Sequence, residues 1–199
     1  MSEFWIYFEN GLRHILNLFA CKHILFLIAL TAPYIFKDWK KILVLVSIFT
    51  LGNLLALGLS IFGVIIIKGS LIAFLMPITI LLLALFNIFT AKKSSKQGSL
   101  NLVGFVALFI GVIHGLGFSN YFNVLANGSS QPKLVSILEF SLGIELAQIV
   151  VVLITLMLSY IFQTVFRFSK RDWILMMSSF VIGVVLPMIL RNEIWRSLN

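Results

Sequence analysis

Long runs of apolar residues, separated by short polar segments, make up most of this sequence. A helix needs about 20 apolar residues to cross a hydrocarbon core that is ~30 Å thick, because it rises ~1.5 Å per residue. The runs therefore predict an all-α integral membrane bundle of about six transmembrane helices. We place these helices at residues 21–36, 42–67, 70–90, 102–122, 134–162 and 173–190. Because the runs are continuously apolar and do not alternate, the strands of a membrane β-barrel are excluded.

The first 20 residues follow a different pattern. Apolar residues alternate at helical spacing with polar ones, which are Glu9, Asn10, Arg13, His14 and Asn17. Such spacing is typical of a helix that lies in the membrane interface with one apolar face. We therefore predict an N-terminal interfacial helical segment over residues 1–20. The alternative is an early start of a tilted first transmembrane helix.

Composition agrees with a single membrane domain. Hydrophobic residues make up 60% of the 199 residues and charged residues 11%, whereas a soluble domain carries about 25% charged residues. We treat residues 1–199 as one transmembrane domain whose exterior contacts the lipid bilayer. The net charge of +8 comes from short clusters between the apolar runs, so we expect no nucleic-acid partner.

Loops rich in basic residues alternate with loops that are poor in them. In chain order the loops carry Lys37, Lys40 and Lys41; Lys68; Lys92, Lys93 and Lys96; Lys133; and Arg167, Lys170 and Arg171. Short loops rich in lysine and arginine stay in the cytoplasm. The alternation therefore predicts cytoplasmic basic loops and both termini on the other side of a cell membrane, the inner membrane in a bacterium.

Glu145 is the most informative polar residue, because it lies deep within the fifth predicted helix. At ~1.5 Å per residue it is about 16 Å from the helix start. A carboxylate at mid-membrane is costly unless it serves a binding site, a partner or a proton path. Gln148 and Ser141 lie on the same helical face. The alternative is a protonated Glu145 that only forms hydrogen bonds between helices.

His114 lies in the fourth predicted helix at a depth similar to that of Glu145. We predict that the two side chains approach within metal-ligand or hydrogen-bonding reach, directly or through one water. Gly111 and Gly115 form a small-xxx-small pair, which lets another helix approach closely. Imidazole and carboxylate together suit a divalent cation or a proton. A buried histidine that only packs is the alternative.

Three further polar residues complete the candidate site. His14 and His23 lie at the outer end of the first predicted helix, where a polar residue also fits an interface without any ligand. Asn53 lies near mid-depth in the second helix, and its amide is either a weak ligand or a hydrogen-bond partner between helices. The candidate metal ligands are thus His114, Glu145, Gln148, His23 and His14, with Asn53 and Ser141 secondary.

Familiar catalytic motifs are missing from the sequence. It has no His-Glu-x-x-His, no Gly-x-Ser-x-Gly and no paired intramembrane aspartates. Its one cysteine, Cys21, excludes an internal disulfide and a cysteine-rich metal site. We expect no enzyme and no tightly bound cofactor. An intramembrane enzyme that uses His114 and Glu145 stays open as an alternative, although no nucleophile accompanies them.

Several segments resemble the HupE/UreJ family of small membrane proteins. The most specific are His-Gly-Leu-Gly-Phe at 114–118 and Gly-Ile-Glu-Leu-Ala-Gln at 143–148, and further likeness lies at 11–15, 23–27 and 48–52. The family is regarded as nickel, or cobalt, permeases that serve hydrogenase and urease maturation. The resemblance implies the same helical fold, Ni²⁺ as substrate ion, and metalloenzyme-maturation partners or a homo-oligomer. Ligand type alone does not separate Ni²⁺ from Co²⁺ or Zn²⁺.

The chain departs from the family pattern at three positions. Lys22 stands where the family typically has aspartate, Asn53 where it has histidine, and Ala73 where it usually has an acidic residue. Acidic groups and one histidine are thus lost, and a cation is added. The leading hypothesis is a permease-like protein that passes a divalent transition-metal cation, nickel first. The alternative is a non-transporting accessory or scaffold protein with a degenerate metal site.

Overall fold

The computed structural model describes residues 2–17, 21–92, 100–127 and 131–198. These residues are helical apart from short turns and contain no strand, which confirms the all-α prediction. In chain order the helices are α1 (Glu3–Leu16), α2 (Lys22–Thr31), α3 (Trp39–Ile61), α4 (Gly69–Thr90), α5 (Leu100–Leu125), α6 (Lys133–Thr164), α7 (Lys170–Leu190) and α8 (Glu193–Leu198). Lys93 and Lys96 of the second basic loop lie outside the described residues.

Five helices in the described part of the chain are long and apolar enough to cross a membrane. They are Phe36–Ile61, which is α3 with the 3₁₀ turn before it, Gly69–Thr90, Leu102–Ser119, Lys133–Thr164 and Lys170–Leu190. The prediction of about six transmembrane helices is therefore close. Five of the six predicted runs are confirmed as helices of spanning length, and the first run is not.

That first run, predicted as a helix over residues 21–36, contains only the short helix α2. α2 has ten residues, so it rises ~15 Å, half of a ~30 Å hydrocarbon core. Pro33 ends it, because proline has no N–H to donate to the carbonyl of Ala29. Asn87 of α4 donates to that carbonyl instead, with 2.7 Å between Nδ2 and O. The irregular backbone after α2 is buried in protein, as backbone at membrane depth must be.

α3 ends at Ile61, earlier than the sequence predicted. Gly63 follows with a φ of 75°, a left-handed conformation that favours glycine. The N–H of Gly63 donates to Ser60 at 3.1 Å and the N–H of Val64 donates to Leu59 at 2.9 Å, which are the two bonds of a Schellman C-cap. The residues after the cap are still apolar, so hydropathy extended the predicted helix beyond its true end.

α1 is a separate amphipathic helix, as predicted for the N-terminal segment. Every fourth residue of it, Tyr7, Gly11 and Ile15, is buried. The helix ends at Leu16, and Asn17 has extended backbone with a ψ of 106°. The alternative, in which this segment is an early start of the first transmembrane helix, is therefore wrong.

α3 and α5 approach each other backbone to backbone at glycines. A Cβ on Gly115 would lie 2.6 Å from the Cα of Asn53, and one on Gly111 would overlap the carbonyl oxygen of Phe49. Such distances leave no room for any side chain. The predicted close approach of another helix at these two glycines is confirmed, and that helix is α3.

α1 lies against α6 through a second pair of glycines. A Cβ on Gly143 would lie 2.9 Å from the backbone nitrogen of Leu12, and one on Gly11 would lie 3.1 Å from the carbonyl carbon of Phe140. Both contacts are with backbone atoms, which cannot rotate away as a side chain can. The two glycines therefore fix the position of α1 on the bundle.

Candidate functional site

The three histidines of the chain, although far apart in sequence, meet in one line. The ring centroids of His14 and His23 are 5.5 Å apart, and those of His23 and His114 are 5.3 Å apart. α1, α2 and α5 each contribute one of them. We call these three residues the histidine line. The sequence placed all three in the candidate site, and the structure brings them into contact.

Aromatic rings enclose the histidine line. Phe118 stacks on His23 at 4.9 Å with 13° between the ring planes, and it meets His14 at 4.8 Å. Phe49 of α3 lies 5.5 Å from His114. These rings leave little polar surface near the imidazoles, so the nitrogen atoms must find their partners among few groups.

Several imidazole nitrogens in the line lack a hydrogen-bond partner among the described residues. His23 is 4% exposed and neither of its nitrogens is paired. His114 is 0% exposed and its Nδ1 is unpaired. Buried polar groups are normally hydrogen-bonded, so unpaired ones need an explanation. A neutral imidazole nitrogen with a free lone pair is also a metal ligand.

Thr79 of α4 orients the proton of His114. Its Oγ1 donates to the carbonyl of Met76 at 2.7 Å and lies 3.4 Å from Nε2 of His114. Because the hydroxyl hydrogen is already used, a lone pair of Oγ1 faces Nε2, which favours the tautomer with hydrogen on Nε2. Nδ1 of His114 then carries the lone pair. A hydroxyl on the other ring nitrogen is the kind of partner that orients a histidine when it binds a metal.

His14 belongs to α1, outside the candidate spans. Burial lowers the pKa of His14 to about 4, because the charged ring would lose its hydration. The ring is therefore neutral at pH 7. A neutral ring retains a lone pair for a cation.

The histidine line is not a closed metal site. Across residues 2–17, 21–92, 100–127 and 131–198, no group of three His, Cys, Asp or Glu residues is placed to hold one ion. Neighbouring imidazoles meet edge to face, at interplanar angles of 66° and 81°. The arrangement offers ligands one after another.

Glu145 has its hydrogen-bond partners on α3. Ser47 donates to Oε1 at 2.7 Å, and Thr50 donates to Oε2. Oγ1 of Thr50 also lies 3.0 Å from Oε1 of Gln148, whose Nε2 is buried without a partner in the described part of the chain. Turning the Gln148 amide over would let its NH₂ donate to Thr50 and leave the hydroxyl hydrogen for Glu145. We call these four residues the glutamate cluster, and it links α3 to α6.

The histidine line and the glutamate cluster lie on different faces of α3. Phe49 faces His114, whereas the next residue, Thr50, faces Glu145. Among the described residues no hydrogen bond joins His114 directly to Glu145. The predicted approach of these two side chains is therefore not made by a direct hydrogen bond, and an approach through water or an ion stays a prediction.

The two secondary candidates lie beside the two groups. Asn53 is 2% exposed, contacts Gly115, and has no partner for either amide atom within the described residues. Because Gly115 follows His114, the backbone of Asn53 packs against the turn of α5 that carries His114. Ser141 is buried on α6, one turn before Glu145.

An open cavity of about 260 Å³ lies between α2, α4 and α5. Lys22 and Ala73 both line it. Both are positions at which the sequence departs from the pattern that it resembles. The two departures therefore lie in the wall of one and the same cavity.

Sequence reasoning did not select Ser47, Thr50 or Thr79 as site residues. Ser47 and Thr50 are three residues apart and share one face of α3, so their spacing was a usable signal. Thr79 gave no such signal, because a threonine within a helix commonly bonds a carbonyl of its own helix, as Thr79 does with Met76.

The helices and their buried polar groups define an integral membrane protein with polar side chains, three of them imidazoles, between its helices. A comparison with family models narrows this class. Residues 1–192 match the model described as HupE / UreJ protein. The chain belongs to the HupE/UreJ family, as the motifs at His114 and Glu145 indicated. No curated protein and no solved structure matches it.

Proposed function

We propose that this protein passes a divalent transition-metal cation, nickel first, across the membrane along the histidine line. The observation that carries the proposal is the meeting of His14, His23 and His114, whose successive ring centroids lie 5.5 and 5.3 Å apart. Membership in a family associated with nickel and cobalt transport, and with urease and hydrogenase accessory roles, supports it.

The chemistry of the line suits a borderline cation in transit. Imidazole nitrogen is a good ligand for nickel, cobalt and zinc and a poor one for magnesium or calcium. Conduction requires binding that is favourable enough for entry and weak enough for release. Successive single ligands meet this requirement better than a closed chelate would.

The glutamate cluster has a different part in the proposal. Its hydrogen bonds run from Glu145 to Ser47 and Thr50 on α3, so it holds α3 and α6 in register. α3 in turn carries Phe49 against His114. Glu145 thus supports the histidine line through α3.

Nickel uptake into proteoliposomes tests the proposal. We expect His114→Ala and His23→Ala each to lower the initial rate of nickel uptake about tenfold or more. Each substitution removes one imidazole ligand, and no other residue of the path replaces it. In metal sites the loss of a partner that only orients a ligand already costs about 10–100-fold in affinity or activity. Thr79→Val should lower the rate less, because the imidazole of His114 stays in place and loses only the hydroxyl that favours one of its tautomers.

Thr155→Val is the matched control for Thr79→Val. Thr155 is also a buried threonine that bonds its own helix, with 2.9 Å from Oγ1 to the carbonyl of Val151. Its replacement should leave nickel uptake unchanged. A native chain that moves no more nickel than empty vesicles would overturn the proposal in favour of the accessory or scaffold protein. Glu145→Ala should lower nickel uptake only to the extent that it also lowers the stability of the folded protein, because Glu145 acts through α3.

Orientation in the membrane gives a separate prediction. A cysteine placed at Ser95 should react with an impermeant maleimide from the cytoplasmic side, and one at Ser129 from the opposite side, because of the alternation of basic loops. Both positions lie outside the described residues. If the cysteines at positions 95 and 129 are labelled from the same side, the predicted orientation is wrong. An even number of spans would then lie between the two positions, and not the single predicted one.

A further inference from the structure

Lys22 places a positive charge in the wall of the cavity between α2, α4 and α5. The remaining wall residues are glycine or apolar: Gly69, Ile72, Ala73, Met76, Leu116 and Gly117. No lining side chain carries a negative charge or a hydroxyl group. The occupant that fits this wall has an anionic end and an apolar remainder.

Lys22 also lacks an ion-pair partner within the described residues. The ion pairs found there are Glu9 with Arg13 at 2.6 Å and Asp38 with Lys41 at 3.2 Å. A lysine near a helix end extends its ammonium group toward the membrane interface, where lipid headgroups and water surround it. The charge of Lys22 is therefore open to a partner from outside the protein chain.

The start of α2 adds to the attraction for an anion. Lys22 is the first residue of this helix, and the preceding Cys21 forms no side-chain cap. The first N–H groups of a helix have no partner within it and carry partial positive charge. Both the ammonium group and the helix end thus favour negative charge at the same place.

The depth of the cavity points to the headgroup region of the bilayer. Gly69 is the first residue of the candidate span Gly69–Thr90, so one end of the cavity lies where this span begins. Ile72 and Met76 continue the wall one and two turns deeper along α4. An occupant can therefore have its head at the interface and its apolar part in the hydrocarbon region.

We propose that this cavity binds the anionic headgroup of a membrane lipid, with its phosphate beside Lys22 and its apolar part along Ile72 and Met76. The site adjoins the histidine line, because Lys22 directly precedes His23 in α2, but lipid binding there does not depend on metal transport. It gives the protein a preference for membranes that contain anionic lipid.

Lipid retention measured by native mass spectrometry tests the site. The purified protein is equilibrated in detergent with equal amounts of phosphatidylglycerol and phosphatidylcholine. We expect about fivefold more phosphatidylglycerol than phosphatidylcholine to remain bound, the preference that one lysine near a lipid surface provides. Lys22→Met should bring the ratio close to one, and Lys22→Arg should preserve it.

Two further variants separate the cavity from general surface charge. Lys133→Met removes an exposed lysine that is likewise the first residue of its helix, α6, and should leave the ratio unchanged. Ala73→Leu keeps the charge but fills the cavity, so it should lower the ratio. An unchanged ratio in Lys22→Met or in Ala73→Leu would overturn the proposal. Displacement of phosphatidylglycerol by millimolar inorganic phosphate would also overturn it, because a free small anion would then be the occupant.

Discussion

Replacing Gly115 by alanine is expected to destabilise the folded protein by about 3 kcal/mol or more, the upper part of the range for overpacked interiors. A methyl group there would lie 2.6 Å from the Cα of Asn53 and 2.9 Å from its carbonyl carbon. Neither atom belongs to a side chain that can turn away, so α3 and α5 would have to separate. This separation would weaken the contact between α3 and α5 that holds His114 next to Phe49.

Gly58→Ala is the matched control, since it makes the same change on α3. A Cβ at Gly58 meets nothing within 4 Å. Alanine forms helix better than glycine by about 1 kcal/mol, so this variant should be neutral or slightly more stable. Unfolding followed by denaturant titration in detergent compares the two. Equal stabilities for Gly115→Ala and Gly58→Ala would contradict the close α3–α5 contact.

Replacing Gly143 by alanine is expected to loosen α1 from α6 while the rest of the bundle stays folded. The methyl group would overlap the carbonyl oxygen of Phe8 and lie 2.9 Å from the nitrogen of Leu12. Overpacking of this kind costs about 1–3 kcal/mol. Because α1 is short and carries His14, its displacement should also lower nickel uptake, as the loss of one histidine from the histidine line does.

Cysteine labelling measures the release of α1 directly. Ile15 is 0% exposed, so Ile15→Cys in a Cys21→Ser background should react slowly with a maleimide. Gly143→Ala should speed this reaction about tenfold or more, the factor that corresponds to ~1.4 kcal/mol. Gly183→Ala serves as control, because a Cβ there meets nothing within 4 Å. If Ile15→Cys reacts as slowly with Gly143→Ala as it does with the native Gly143, then α1 does not need a glycine at position 143.

Hydropathy predicted the long helices because contact with lipid requires a continuous apolar surface. It could not predict where α3 ends, since the end is set by the backbone conformation of Gly63 and not by polarity. It also could not reveal that α2 is short. Pro33 was visible in the sequence, but only the hydrogen bond from Asn87 to Ala29 makes an early helix end acceptable at that depth.

The sequence predicted which polar residues lie between the helices, but it did not predict that they form two separate groups, the histidine line and the glutamate cluster. Counting residues along a helix gives the depth of a side chain, and it placed His114 and Glu145 at similar depth. It does not give the direction in which the side chain points around the axis. That direction follows from the glycine contacts, which turn Phe49 toward His114 and Thr50 toward Glu145.

The shortness of α2 has a consequence for biosynthesis. A segment whose helix rises only ~15 Å cannot stand alone in a ~30 Å hydrocarbon layer, and its exposed backbone groups would remain without partners there. The groups that complete it belong to helices made later: Asn87 of α4 pairs with the carbonyl of Ala29, and His114 of α5 packs against His23. α2 therefore leaves the ribosome before the helices that complete it, and it reaches its final place in the membrane only after they do.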